Sequence, residues 1–139
     1  MKPAKILIVD RDSDSLLFLK NLLHGEGHTP FCASSVEEGM TLAQQSAPDL
    51  VILEAMMPGP GRGKQRRPRL YGTWFGDIPV LLCSHLTKES YLRFQLTKPP
   101  LQSPNPETPE EYLEKPLEKE DLMEAICRLL HQKDCRAGE

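Results

Sequence analysis

The chain has 139 residues, with 17 Lys and Arg against 20 Asp and Glu, a net charge of −3, and 39% hydrophobic residues. That length fits one ordinary domain of about 100–150 residues, and the composition argues against wholesale disorder. The charge is too small to announce a nucleic-acid binder, and no apolar run approaches the roughly 18 residues of a membrane span.

Lys5–Asp10 (KILIVD) is a short continuous apolar run, the pattern of a strand buried on both faces. It stops at Asp10, so no secretory signal is read. Asp12 or Ser13 can then cap a helix whose Leu16, Leu19, Leu22 and Leu23 keep helical spacing, with Gly25 ending it. Phe31–Ala33 is a weak second strand. Ser35 and Glu38 form a capping box, Met40, Ala43 and Ala47 follow on a helix, and Pro48 stops it. Leu50–Leu53 is the third strand and Ile78–Cys83 the fourth.

Between them lies Gly59–Asp77, which holds Gly59, Gly61, Gly63, Gly72, Gly76, Pro60 and Pro68. Glycine costs about 1 kcal/mol and proline about 3 kcal/mol at an interior helix position, so a helix here is expected to be short, displaced or absent. A fourth helix spans roughly Thr87–Leu96. Pro99, Pro100, Pro104, Pro106 and Pro109 then fall within eleven residues, which predicts an extended surface insertion over 98–110. Glu111–Glu114 is a short fifth strand, and Leu122, Ile126, Leu129 and Leu130 mark a terminal helix. Residues 1–133 are read as one domain and 134–139 as a C-terminal tail.

Strands separated by helices of this length imply right-handed crossovers and a parallel sheet. Ligands of such sheets sit at the carboxyl ends of the strands. Those ends carry Asp10 and Arg11, Glu54, Ser84, and Lys115 with Pro116.

The four cysteines, Cys32, Cys83, Cys127 and Cys135, show no metal-binding spacing, which predicts reduced thiols in a cytoplasmic protein. His24, His28, His85 and His131 share no ligand spacing and are expected at the surface or at helix ends. Arg62, Lys64, Arg66, Arg67 and Arg69 are followed by Tyr71, Trp74 and Phe75, a basic stretch beside aromatics that could contact nucleic acid. The plainer reading is a solvated loop, and nucleic-acid binding is not the expected function.

ILIVDRDSD, PDLVILEAMMPG, IPVLLCSH and EYLEKPL together resemble the four signature segments of bacterial response-regulator receiver domains, over roughly residues 4–132. The resemblance implies a flavodoxin-like (βα)5 three-layer α/β sandwich. Its five-stranded parallel sheet would have strand order 2-1-3-4-5. It also implies phosphorelay signalling in a two-component system, with a phosphoryl group accepted from a histidine kinase on an aspartate in the presence of Mg²⁺. Lys115 matches the family lysine, Ser84 the phosphate-facing hydroxyl, Tyr112 the switch aromatic, and Asp10 the first acid of the metal pair.

Two positions depart from that pattern. Arg11 stands where a second acid is usual, and Glu54 stands where the phosphorylated aspartate is usual. With Asp10 and Glu54 facing Arg11 and Lys115, the formal site charge is zero, a poor match for Mg²⁺, which prefers several carboxylate oxygens. Asp12 is read as a helix cap rather than a replacement ligand. Glutamate also carries its carboxylate one methylene farther out, and about 1 Å of misplacement can cost roughly 10²-fold in a positioned reaction.

The expectation is a degenerate receiver with no catalytic residue and no Mg²⁺. It would act through protein contact, as a monomer or weak homodimer with no membrane partner. The surface expected to meet the partner is the fourth helix, fifth strand and fifth helix. Either an Arg11–Glu54 ion pair holds the vestigial site, or Glu54 imitates a phosphoryl group. The alternatives are an active Mg²⁺-dependent receiver and a nucleic-acid-contacting module using residues 62–75.

Overall fold

The computed structural model describes residues 2–58, 74–97 and 111–137. Five parallel strands form one sheet: β1 (Lys5–Val9), β2 (Thr29–Ala33), β3 (Leu50–Glu54), β4 (Val80–Ser84) and β5 (Glu111–Glu114). Their order is β2-β1-β3-β4-β5, the flavodoxin-like arrangement expected from the sequence. Four helices lie among the described residues: α1 (Ser13–Gly25), α2 (Val36–Ser46), α3 (Lys88–Thr97) and α4 (Lys119–Ala137).

Alternation along the strands makes two cores, one on each face of the sheet. Ile6, Ile8, Leu50, Ile52 and Leu81 pack with Leu19 and Leu23 of α1 and with Leu122, Ile126 and Leu129 of α4. Leu7, Val9, Val51, Leu53 and Leu82 face the other way, with Val36 and Tyr91. Successive strand residues point to opposite faces, so continuous apolar runs are what a sheet covered on both sides requires. Each such side chain contributes about 1.5–3 kcal/mol by leaving water.

The element ends follow from local chemistry. Asp12, not Ser13, caps α1, its carboxylate accepting from Asp14 N at 3.0 Å and Ser15 Oγ at 3.1 Å. Gly25 ends the helix as expected, as its last residue, with Glu26 as the C-cap and Gly27 following at φ 90°. A left-handed residue is nearly free only for glycine, so Gly27 carries the turn that follows.

Ser35 caps α2 by accepting from Glu38 N at 3.1 Å, while Glu38 Oε1 accepts from Ser34 N rather than from the cap residue itself. Ala47, expected inside α2, is its C-cap at φ 48°, because the following Pro48 disfavours a right-handed helical conformation there. β4 begins at Val80, two residues later than expected, after Pro79, which has no N–H to give a ladder. Thr87 Oγ1 accepts from Ser90 N at 3.0 Å and so starts α3.

Two further expectations are corrected. Helix α4 runs to Ala137 and takes in residues 134–137 of the stretch read as a tail, since no helix breaker precedes Gly138. Trp74 and Phe75 are buried in the second core rather than offered for stacking on bases. Their rings meet edge to face with centroids 6.5 Å apart. The 98–110 insertion lies outside the described residues, as does most of the stretch where the third helix was in question. Residues 74–78 form turns and bends.

Candidate functional site

The parallel register brings the expected residues to one end of the sheet. Val9 pairs with Leu53, Glu54 with Cys83, and Ser84 with Glu114, so Asp10, Glu54, Ser84 and Lys115 all stand at strand carboxyl ends. Backbone bonds hold these ends together: Asp10 N donates to Ala33 O at 3.1 Å, Ala55 N to Cys83 O at 2.8 Å, and Lys115 N to Ser84 O at 2.7 Å.

Lys115 is the centre of the cluster. Its Nζ lies 2.6 Å from Asp10 Oδ2 and 2.7 Å from Glu54 Oε2, and it also donates to Ser15 Oγ at 3.4 Å. The three charged side chains are 7% (Lys115), 4% (Asp10) and 14% (Glu54) exposed, so this is a buried triad with one negative charge in excess. Burial alone would pull the Lys115 ammonium down, but the Asp10 and Glu54 carboxylates outweigh it and hold the group above the usual lysine range.

Every carboxylate oxygen of the triad is engaged. Asp10 Oδ1 accepts from Asp12 N at 3.0 Å, and Glu54 Oε1 accepts from Met56 N at 3.3 Å. The Glu54 Oε2 contact with Lys115 is one of charge, because its angle misses hydrogen-bond geometry.

Arg11 is not part of this cluster. It is exposed in the bend after β1, and the partner of Glu54 is Lys115, so the expected Arg11–Glu54 ion pair is corrected. The formal charge of zero read from the sequence becomes −1 among the groups in contact. Among the described residues, no three His, Cys, Asp or Glu side chains are arranged to hold a metal ion. Asp12, the nearest further acid in the chain, is committed to capping α1.

From the triad a chain of contacts leads outward. Ser84 is buried, and its Oγ accepts from Leu86 N at 3.2 Å. Tyr112 OH donates to Leu86 O at 2.9 Å, and its ring packs on Tyr91 with centroids 5.5 Å apart. Burial pushes the Tyr112 hydroxyl up to about 12, with a hydrogen bond to Ser84 opposing that rise. Below the site, burial raises the Cys83 thiol to about 12, which leaves it an inert packing group rather than a nucleophile. Cys32, Cys83 and Cys127 are free.

The basic residues Arg62, Lys64, Arg66, Arg67 and Arg69 lie outside the described residues. Of the four histidines, His24, His85 and His131 are exposed, as expected, but His28 is buried. Its Nδ1 accepts from Ala4 N at 3.0 Å at the far end of the sheet. Sequence reasoning also missed Ser15 and Leu86, which act through an Oγ and through backbone groups that no motif marks.

No protein-family model matches the chain. Protein PilH of Pseudomonas aeruginosa is 27% identical over 127 residues, covering 91% of this chain and 98% of PilH. A response-regulator receiver domain from Clostridium thermocellum superposes with a TM-score of 0.70 at 25% identity, covering 95% of this chain and 98% of that one. The chain is similar to response-regulator receiver domains over nearly its whole length and shares their fold. A CheY-like receiver domain from Methanospirillum hungatei shares the fold, with a TM-score of 0.72 at 19% identity over 97% of this chain and 99% of that one. Receiver domains are in general signalling modules rather than enzymes that turn over substrate. No described helix is long and apolar enough to cross a membrane.

Proposed function

We propose that this receiver domain signals without phosphorylation at position 54, and that its output is protein contact. The observation that carries the reading is the state of the Glu54 carboxylate. Oε1 takes the Met56 N–H and Oε2 is held against the Lys115 ammonium, so neither oxygen is free to attack a phosphoryl donor. Phosphoryl transfer depends on positioning and on charge stabilisation, and both are compromised here.

Mg²⁺, which the family uses, does not suit the donor set. The ion wants near-octahedral oxygen coordination at about 2.0–2.1 Å and gives up its water reluctantly. Asp10 and Glu54 are already neutralised in part by an ammonium, and Arg11 replaces the second acid. No cofactor is therefore proposed, and no residue is assigned a catalytic role.

The surface proposed for the partner is formed by α3, β5 and α4, with Tyr112 fixed on it by Leu86 and Tyr91. A cytoplasmic signalling protein is the partner class. The nucleic-acid reading loses support because Trp74 and Phe75 are core residues.

Treatment with a small phosphodonor, followed by intact-mass measurement with and without Mg²⁺, tests the reading. The expected spectrum has no phosphoryl adduct under either condition. An Mg²⁺-dependent adduct mapped to Glu54 overturns it.

A further inference from the structure

We infer that the groove between α1 and the Pro116–Leu117 segment binds a small organic cation, an ammonium carried on an aromatic body. The inference goes beyond the reading of position 54 and stands whether or not Glu54 is phosphorylated. The groove has a volume of about 370 Å³, inside the range of about 300–1,000 Å³ common to small-molecule sites. Its apolar side is made by Phe18, Leu19, Pro116 and Leu117. Leu19 is buried in the first core and Leu117 packs against it, so this floor is fixed by the fold. Phe18 is 49% exposed and, with Leu17, is one of the exposed large hydrophobics among the described residues. Single exposed apolar side chains are common, but this ring walls a groove whose floor is already apolar.

The rim sets the charge of the ligand. Asp12 and Asp14 both line the groove. The Asp14 N–H and the Ser15 hydroxyl hold the Asp12 carboxyl below the usual carboxylate range, so it stays ionised. Asp14 is exposed, and its carboxylate is joined to no described residue. Two carboxylates outweigh the charge of about one half that the first turn of α1 contributes with the opposite sign. An anionic ligand finds no free partner here: the Lys115 ammonium at the groove is already engaged by Asp10 and Glu54, and Arg11 does not line it. Asp14 and Phe18 are four residues apart in α1 and so neighbours on one helix face. An ammonium held by Asp14 therefore sits beside the Phe18 ring, whose face attracts cations, while its aromatic body covers Phe18 and reaches the Pro116–Leu117 side.

The test titrates the full chain with 2-phenylethylammonium, with the neutral 2-phenylethanol and with the anionic 3-phenylpropionate, following amide signals. The ammonium should give saturable shifts at Ser15, Phe18, Leu19 and Leu117, with affinity about tenfold above that of the alcohol, and the anion should give none. Phe18→Ala should abolish the shifts. Asp14→Asn should bring the ammonium close to the alcohol while leaving the alcohol unchanged. Unaltered signals at Ile6, Leu7, Ile8 and Val9 show that each variant is folded. Equal binding of all three probes, binding of none, or an unchanged preference in Asp14→Asn overturns the inference. Shifts at the same residues that follow protein concentration and resist the ammonium assign the groove to a second copy of the chain, and overturn it as well.

Discussion

Glu54 Oε2 lies 2.7 Å from Lys115 Nζ, joining the carboxyl end of β3 to the residue that follows β5. The contact crosses β4, which lies between those strands in the sheet. It makes the acceptor position part of the scaffold, because a buried charge deprived of its partner is costly, about 3–5 kcal/mol in typical cases. On the proposed reading, the same contact occupies an oxygen that a phosphoacceptor would need.

Restoring family chemistry should therefore require two changes. Arg11→Asp supplies the missing acid, and Glu54→Asp withdraws the carboxylate by one methylene from Lys115. Neither change alone should suffice, because Arg11→Asp alone leaves Glu54 held by the ammonium and Glu54→Asp alone leaves a guanidinium at position 11 where the metal needs an acid. Intact mass after phosphodonor treatment with Mg²⁺ should show an adduct in the double variant and almost none in either single one. Additive labelling in the single variants would contradict this account of the two positions.

Burial of Trp74 gives a prediction about the basic stretch. Trp74→Ala removes a core side chain and should cost about 3–5 kcal/mol in a denaturant melt. A variant of unchanged stability would return Trp74 to the surface role that its basic neighbours suggest.

Gly39 in α2 gives a third prediction, and its sign is unusual. Alanine is normally the better helix former by about 1 kcal/mol. A Cβ at Gly39, however, would come within 2.9 Å of Val9 Cγ2 and 3.7 Å of the Phe75 ring. Valine is stiff at χ1 and Val9 is fully buried, so the strand cannot yield cheaply. Gly39→Ala should destabilise by about 1 kcal/mol or more, read as a lower denaturant midpoint at constant slope.

His28 sets an acid limit on stability. Its ring is held below the usual histidine value by burial, which the nearby Glu26 opposes only in part. A depressed folded value means that the unfolded chain binds the proton first. The contribution is then complete above about pH 6.5 and is lost as the pH falls below it. Protonation at Nδ1 would also remove the acceptor for the Ala4 N–H. Stability measured from pH 7 to pH 5 should fall less steeply in His28→Gln than in the unaltered protein; parallel curves would contradict the role given to the ring.

Much of the fold was legible because the strands are continuous apolar runs and the helices keep their leucine spacing. Ile6–Val9 and Leu50–Leu53 allow little other than buried parallel strands, and a parallel sheet necessarily gathers Asp10, Glu54, Ser84 and Lys115 at one end. What was not legible is direction. Arg11 follows Asp10 in sequence, but the chain bends there and leaves it exposed, so adjacency misassigned the partner of Glu54. Trp74 and Phe75 follow five bases and lack any periodicity that would mark them as core. His28 was hidden for the same reason: a turn residue gives no sign of the amide it will meet across 24 positions of sequence.

The central claim is that the surface around Tyr112 does not respond to phosphodonor. The most direct measurement is the amide spectrum of the unaltered protein before and after phosphodonor with Mg²⁺, followed at Ser84, Leu86, Tyr112 and Lys115. The account predicts superimposable signals at all four positions. A new set of signals there, appearing with the donor and decaying as an acyl phosphate hydrolyses, would contradict it.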